Sequence, residues 1–143
     1  MERGRLLERE AEVLDVLRHA KRVAVLGIKP ESHGGAAAHY VPKYLQRVGY
    51  EIVPVPVYYP EVTQILGEPV YRRLVDVPGA IDLVVVFRRS GDVAPHVDDI
   101  IAKGVDAVWL QAGIRNDEAA RRLADAGIDV VQDRCTMIDH RAL

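Results

Sequence analysis

The sequence predicts an α/β domain in which a doubly wound, parallel five-stranded sheet lies between two layers of helices. Short apolar segments alternate along the whole chain with segments of helical spacing, as in repeated βα units. A strand covered on both faces is apolar throughout, so the continuous apolar runs favour a buried parallel sheet with right-handed crossovers. The predicted strands are residues 22–28, 50–55, 83–87, 106–110 and 128–131.

Length and composition limit the class of protein. The 143 residues fit one domain, residues 1–143, with a leading helix over 4–20 and a core over 22–143. A formal net charge of -2 lacks the basic excess of proteins that bind nucleic acids or membrane surfaces. The single cysteine, Cys135, excludes an internal disulfide and fits a reducing compartment. Because neither a membrane span nor a signal-peptide core is visible, we expect a soluble, cytoplasmic protein.

The first half of the chain contains two predicted helices and one irregular stretch. Apolar residues at helical spacing predict the leading helix over residues 4–20. The helix after the first strand is expected to start near Ala38, because Pro42 is tolerated only in a first turn, and to end at Gly49. Residues 58–79 are predicted to be irregular, with short helical turns near 61–66 and 71–75.

The second half repeats the strand and helix pattern twice. Ser90 and the two residues after it are expected to cap a helix that buries Val93, Val97, Ile100 and Ile101. Asn116 is predicted to cap a helix over residues 117–126, which has acidic residues in its first turn and a glycine just past its end.

The unit over residues 22–60 predicts a phosphate site. Gly27 lies where the chain must turn off the first strand, and Gly34 and Gly35 allow a close backbone approach before the helix. Such a loop brings backbone N–H groups and a helix N-terminus to one point. The loop is not G-x-G-x-x-G, and no acidic residue ends the second strand, which disfavours a tightly bound NAD. The unit therefore indicates a phosphate-bearing ligand without naming it.

Basic residues follow four of the five predicted strands. In doubly wound sheets ligands bind beyond the carboxyl ends of the strands, so a basic edge there predicts a polyanionic ligand. Ordinary solvated loop arginines remain the alternative. The residues at these ends are Lys29, Ser32 and His33, then Pro56, Val57, Tyr58 and Tyr59, then Arg88, Arg89 and Ser90, then Gln111, Gly113 and Arg115, and finally Asp133, Arg134 and Cys135.

The tail places Cys135 beside Arg134, with His140 five residues later. One interpretation is a Cys–His nucleophile or a cysteine that exchanges with a thiol ligand, because a neighbouring guanidinium favours the reactive thiolate. The other is a small apolar residue at a strand end. Neither an orienting third group nor an oxyanion hole is indicated, so we expect no enzyme activity. No histidine has partners at metal-ligand spacing, and we expect no metal.

Several motifs occur in an order that resembles a known family. They are residues 23–27, Tyr44-Leu45 with Gly49-Tyr50, residues 53–55, 66–68, 86–90 and 108–111, Gly113, and residues 133–135 with His140. Over roughly residues 6–143 the chain resembles the small single-domain CoA-binding proteins. Their fold is similar to the N-terminal CoA-binding domain of the succinyl-CoA synthetase alpha subunit.

The resemblance implies a Rossmann-like domain that holds CoA or an acyl-CoA at the strand ends. It places the pyrophosphate on the first loop and the adenosine end near the loops after the second and third strands. No ligase or transferase activity carries over with it. We expect the pantetheine arm to run toward Gln111 and Gly113 or the tail. The residues implied at the ligand are Gly27, Ile28, Lys29, Pro30 and Ser32, then Pro56, Val57 and Tyr58, then Phe87, Arg88, Arg89 and Ser90.

Two departures from the family pattern matter for the ligand. The family usually has Asn-Pro-Lys after the second strand, where this chain has Pro56-Val57-Tyr58, and the first loop is altered at residues 33–36. Without that lysine, CoA affinity is lower or relies on Arg88 and Arg89. We therefore expect non-catalytic binding of CoA or an acyl-CoA. The alternatives are a regulatory module that senses NAD(P) or an adenine nucleotide, and a thiol-dependent enzyme. A homodimer or an unidentified protein partner is also left open.

Overall fold

The computed structural model describes residues 4–143. Numbered in chain order, its strands are β1 (Arg22–Leu26), β2 (Glu51–Val55), β3 (Gln64–Ile65), β4 (Glu68–Pro69), β5 (Leu83–Val86), β6 (Ala107–Leu110) and β7 (Asp129–Val131). Five of them form a parallel sheet with the strand order β2-β1-β5-β6-β7, which confirms the predicted Rossmann-like α/β fold. A separate antiparallel pair, β3 and β4, lies outside the main sheet.

Helices cover both faces of the sheet, and each face has its own apolar core. The helices are α1 (Glu10–His19), α2 (Ala37–Arg47), α3 (Val97–Lys103), α4 (Asp117–Asp125) and α5 (Thr136–His140). Alternate strand residues point to opposite faces, so Val23 and Val25 pack toward α1 and α2, whereas Ala24 and Leu26 pack toward α3 and α4. No helix within residues 4–143 is long and apolar enough to span a bilayer.

The strand order places the topological switch between β1 and β5. The chain runs outward from β1 to β2, then returns to β5 on the other side of β1 and continues outward to β7. At the carboxyl end of the central pair, Leu26 of β1 lies opposite Val86 of β5. The loops after β1 and β5 diverge here, which creates the crevice in which ligands of doubly wound sheets bind.

The predicted leading helix is wrong over its first six residues. Leu6 forms a parallel bridge to Val130, and the Leu7 N–H donates to the Val130 carbonyl at 2.8 Å. Only from Glu10 is the chain helical. The physical reason is that β7 is an edge strand with unpaired backbone groups, which the extended segment satisfies while it buries Leu7.

The predicted helical turn over residues 61–66 is also wrong, because β3 and β4 form a hairpin there. Leu66 and Gly67 link the two strands, with φ of 55° and 76°. Two consecutive residues with positive φ close a tight hairpin, and glycine at the second position adopts this φ without steric cost. The turn predicted over 71–75 is a short 3₁₀ turn at Leu74–Asp76.

The predicted helix after Ser90 begins later than expected. Two 3₁₀ turns, Ser90–Asp92 and Ala94–His96, precede α3. The Asn116 cap is confirmed, since its side-chain oxygen accepts from the Ala119 N–H at 3.0 Å.

Candidate functional site

Gly27 is the point at which the ends of three strands meet. Its φ is +89°, and its N–H donates to the Val55 carbonyl at the end of β2 at 2.9 Å. A Cβ at this position would lie 2.2 Å from the carbonyl oxygen of Phe87, just after β5. Only glycine fits such a contact, so the sharp turn expected from the sequence is present and closely packed.

The backbone of Lys29 is tied to α2 on both sides. Its N–H donates to the Ala38 carbonyl at 3.0 Å, and its carbonyl accepts from Nδ1 of the buried His39 at 2.9 Å. Pro42 lies in the second turn of α2, not in the first as expected. Because proline has no N–H, the Ala38 carbonyl has no partner within the helix and is free to hold the loop. The Lys29 side chain has no ion pair among residues 4–143 and remains available to a ligand.

The rest of the first loop leads into an uncapped helix. Ala36, the N-cap of α2, supplies no side-chain hydrogen bond, so the first N–H groups of this 11-residue helix lack a side-chain acceptor. Glu31 accepts from the Leu66 N–H at 2.8 Å, which fixes the loop to the β3–β4 hairpin. Ser32 and Gly35 are exposed. A helix N-terminus open to solvent beside a fixed loop favours an anion.

Arg88 joins the ends of β5 and β2 above this loop. Its guanidinium carbon lies 5.5 Å from the centre of the Tyr58 ring, and its Nη1 lies 3.5 Å from the Tyr58 hydroxyl. The nearest carboxylate, that of Asp92, is 3.9 Å away. The side chain is 16% exposed, yet its buried Nε has no hydrogen-bond partner among residues 4–143. A buried N–H without an acceptor is unfavourable, and an anionic ligand would satisfy it.

Arg72 organises the loop after β2 and was missed by sequence reasoning. Its guanidinium donates to the carbonyls of Tyr58, Tyr59, Pro60 and Val62 at 3.2, 3.0, 3.3 and 2.6 Å. These bonds hold Tyr59 in a left-handed conformation with φ of 66°. No local pattern announces this role, because Arg72 acts on carbonyls at least ten residues away.

A cavity of about 110 Å³ adjoins the same strand ends. Leu26, Val55 and Val57 contribute its apolar lining, and His96 and Asp99 contribute polar groups. The carboxylate of Asp99 is already paired, since it accepts two hydrogen bonds from Arg73 at 3.0 and 2.8 Å. The position suits a small apolar or aromatic part of a ligand whose charged part lies at the first loop.

Larger cavities lie elsewhere. One, of about 330 Å³, is lined by acidic residues at the amino ends of the strands, among them Asp82, Asp106 and Asp129. Another, of about 500 Å³, lies between α1, the start of β2 and the C-terminus. A third, of about 250 Å³, lies between residues 6–8 and the segment after β7. None of these three adjoins the crevice at the switch point, so we place the candidate site at the smaller cavity and the first loop.

A family model described as a CoA binding domain matches residues 21–141. The chain belongs to this CoA-binding family. It is 33% identical over 131 residues to uncharacterized protein YneT of Bacillus subtilis (strain 168), and the aligned residues cover 92% of this chain and 93% of that protein. It is 36% identical to the solved structure of cell-free ID.343 from Thermus thermophilus, with a TM-score of 0.85 over 94% of this chain and 98% of that one.

A larger enzyme shares the fold alone. The dinucleotide-forming acetyl-coenzyme A synthetase 1 of Ca. Korarchaeum cryptofilum is 20% identical, with a TM-score of 0.67 over 82% of this chain and 27% of that one. The match over residues 21–141 confirms the expected family, and the likeness to the synthetase is one of fold.

In this member of the CoA-binding family, the predicted site residues divide into two groups. Those from β1, β2 and β5 meet at the switch point; among them Ile28, Pro30 and Pro56 are buried, and Arg89 is exposed. Gln111 is different, since it is 3% exposed and its Oε1 accepts from the N–H and the hydroxyl of Thr136 at 3.0 and 2.8 Å. Gln111 therefore caps α5 rather than facing the crevice.

Gly113 and Ser90 form hydrogen bonds that connect neighbouring loops. The Gly113 N–H donates to Oδ1 of Asp133 at 2.6 Å, and the Ser90 hydroxyl accepts from the Arg115 N–H at 3.0 Å. These bonds tie together the segments that follow β5, β6 and β7. The three residues thus support the edge of the crevice, and their contact with a ligand stays a prediction.

The tail residues have other partners than those the sequence suggested. Arg134 forms two hydrogen bonds to Asp139, at 2.6 and 2.9 Å, and the Asp139 carboxylate raises the pKa of that guanidinium. Nδ1 of His140 lies 2.7 Å from the Tyr44 hydroxyl. No hydrogen bond joins Cys135 to His140 within the described chain. The hydrogen-bond partner of the His140 ring in this part of the chain is therefore Tyr44.

Within residues 4–143, no cluster of three or more histidine, cysteine or acidic side chains is arranged to hold a metal ion.

Proposed function

We propose that this protein binds CoA or an acyl-CoA at the switch point and performs no reaction on it. The observation that carries the proposal is the buried Nε of Arg88, which lacks a partner beside the Gly27 loop. Family membership supports a CoA-type ligand, and the crevice supports its position.

The ligand phosphates would lie against the first loop and the N-terminus of α2. Backbone N–H groups there are held in place by the bonds between Lys29 and α2. Lys29, Arg88 and Arg89 supply positive charge, and Lys29 and Arg89 have no ion pair within residues 4–143. Such charge-assisted contacts are consistent with micromolar affinity, about -8 kcal/mol.

Arg88 would compensate for the family lysine that this chain lacks after β2. The residue at that place is Tyr58, which is 64% exposed and lies against the Arg88 guanidinium. The stacked tyrosine orients the guanidinium while leaving its Nε unpaired. A cation from the end of β5 would thus replace one from the end of β2.

Replacing Arg88 with methionine is the direct test. We expect CoA affinity to fall by about 10- to 100-fold, since a hydrogen bond to a charged group contributes about 1.5–3 kcal/mol. Isothermal titration calorimetry with CoA, acetyl-CoA, ADP and NADH measures the effect, and circular dichroism checks that the variant is folded. Arg121→Met, at an exposed position on α4, is the matched control and should bind CoA as the unmodified protein does.

The ligands in this titration also decide between the functions left open. CoA must stabilise the native protein if only that state binds it. Stabilisation by NADH without any by CoA would overturn the proposal and support the nucleotide-sensing alternative.

The non-catalytic part of the proposal has its own test. We expect Cys135→Ser to retain CoA affinity within about twofold, because the thiol has no hydrogen bond to His140 and a near-isosteric substitution at an uninvolved position changes little. Hydrolysis of acetyl-CoA, followed by release of free thiol, should be absent with both proteins. Thioester cleavage that disappears in Cys135→Ser would instead establish a thiol-dependent enzyme.

A further inference from the structure

His96 supplies a titratable side chain to the cavity of the proposed ligand site. It ends the 3₁₀ turn Ala94–His96 and lines the cavity beyond β1 and β2. Its imidazole is half-buried and has no hydrogen-bond partner within residues 4–143. Arg88, whose buried Nε lacks a partner, lies close enough to His96 for their charges to interact.

The charges around His96 come from three segments. Arg88 and Asp92 belong to the connection between β5 and α3, Asp99 belongs to α3, and Arg72 and Arg73 come from the segment before Leu74–Asp76. Burial lowers the pKa of His96, and the positive charge of Arg88 lowers it further, while Asp99 and Asp92 act in the opposite direction. Asp99 is shared with Arg73, and Arg72 is engaged with backbone carbonyls.

We propose that His96 is a proton-linked recognition residue of the CoA site, which takes up a proton when the phosphates of the ligand lie beside Arg88. This inference rests on the proposed function. The imidazolium then adds positive charge to the site, which the phosphates beside Arg88 stabilise across the edge of the cavity. Ligand affinity consequently rises as the solution becomes mildly acidic.

The direction follows from the two states of the protein. Without ligand, burial and Arg88 keep the imidazole neutral at neutral pH. A bound phosphate offsets the charge of Arg88 and favours the imidazolium, so the complex holds one more proton than the free protein. Binding that takes up a proton is strengthened by a fall in pH.

The test is the pH dependence of binding of 3′-dephospho-CoA, measured by calorimetry from pH 5.5 to 8. This probe lacks the monoester phosphate, which itself titrates near pH 6 and would obscure the effect. We expect at least about threefold tighter binding at the acidic end, with net proton uptake when buffers of different ionisation enthalpy are compared. His96→Gln retains polar atoms without titrating in this range and should abolish the gain. His19→Gln, on α1, is the matched control and should keep it.

The outcomes separate the two proposals. Equal pH profiles in the unmodified protein and His96→Gln would overturn the role of His96 and leave CoA binding standing. Absence of binding of both CoA and its dephospho form at every pH would overturn the proposed function, and the inference with it. Nuclear magnetic resonance titration of the His96 ring, without and with the ligand, should show its pKa rising on binding.

Discussion

Replacement of Gly27 with alanine should destabilise the protein by about 3 kcal/mol or more, a large part of the 5–15 kcal/mol typical of a domain. A Cβ at this position would lie 2.2 Å from the Phe87 carbonyl oxygen, which belongs to backbone and cannot rotate away. The φ of +89° adds the strain of a left-handed conformation. To relieve both, the end of β1 would have to move away from β5 and give up the Gly27 bond to Val55.

Urea unfolding followed by circular dichroism measures this effect. Gly35→Ala is the matched control within the same loop, since an added Cβ there has no neighbour within 4 Å. Its free energy of unfolding should change by no more than about 0.5 kcal/mol. Equal unfolding midpoints for Gly27→Ala and the unmodified protein would show that the three strand ends do not meet as closely as described. A folded Gly27→Ala protein is expected to bind CoA more weakly, because the loop would be displaced.

Replacement of Trp109 with alanine should cost about 3–5 kcal/mol, the range for a large aromatic residue removed from a core. Trp109 is the only tryptophan, is fully buried in β6, and packs in the core under α1 and α2. Its Nε1–H donates to the Arg134 carbonyl at 2.7 Å. The substitution therefore removes core volume and also the bond that holds the start of the C-terminal segment.

Trp109→Phe separates these two contributions. It keeps an aromatic ring but leaves the Arg134 carbonyl without its donor, so we expect a smaller loss of about 1–3 kcal/mol. Urea unfolding by circular dichroism gives both values, and limited proteolysis after residue 131 reports on the tail. Similar stability for Trp109→Ala and the unmodified protein would contradict the packing described for β6.

The fold was predictable because its determinants are local. Continuous apolar runs identified all five strands of the sheet, and Asn116 identified the start of α4 through its cap. One failure arose where a distant partner decides the conformation, and the other where a tight local turn was not recognised. Residues 4–9 have helical spacing, yet the free edge of β7 draws them into an extended bridge. Leu66 and Gly67 close a hairpin within a stretch that was expected to be helical.

The position of the candidate site and its basic residues could be predicted from the sequence. The side chains that hold its loops in place could not. Gly27, Lys29 and Arg88 follow strands that the sequence reveals, and parallel strands bring their ends to one edge. His39 and Arg72 hold the loops through bonds to backbone carbonyls, which no residue pattern records. Gln111 follows a strand and was predicted to face the ligand, but its Oε1 accepts a hydrogen bond from the Thr136 N–H. His96 enters the site only because its 3₁₀ turn lies beside the ends of β1 and β2.

The sequence by itself determined the layered α/β fold, the glycine turn after the first strand and the basic character of the strand ends. These follow from side-chain periodicity and backbone freedom, which act within a few residues. Tertiary structure alone decided that Arg88 meets Tyr58 with its Nε unpaired, and that the His140 ring pairs with Tyr44. Such pairings depend on how strand ends and the tail converge after folding. Residues far apart in the chain gain or lose hydrogen-bond partners only when folding brings them together.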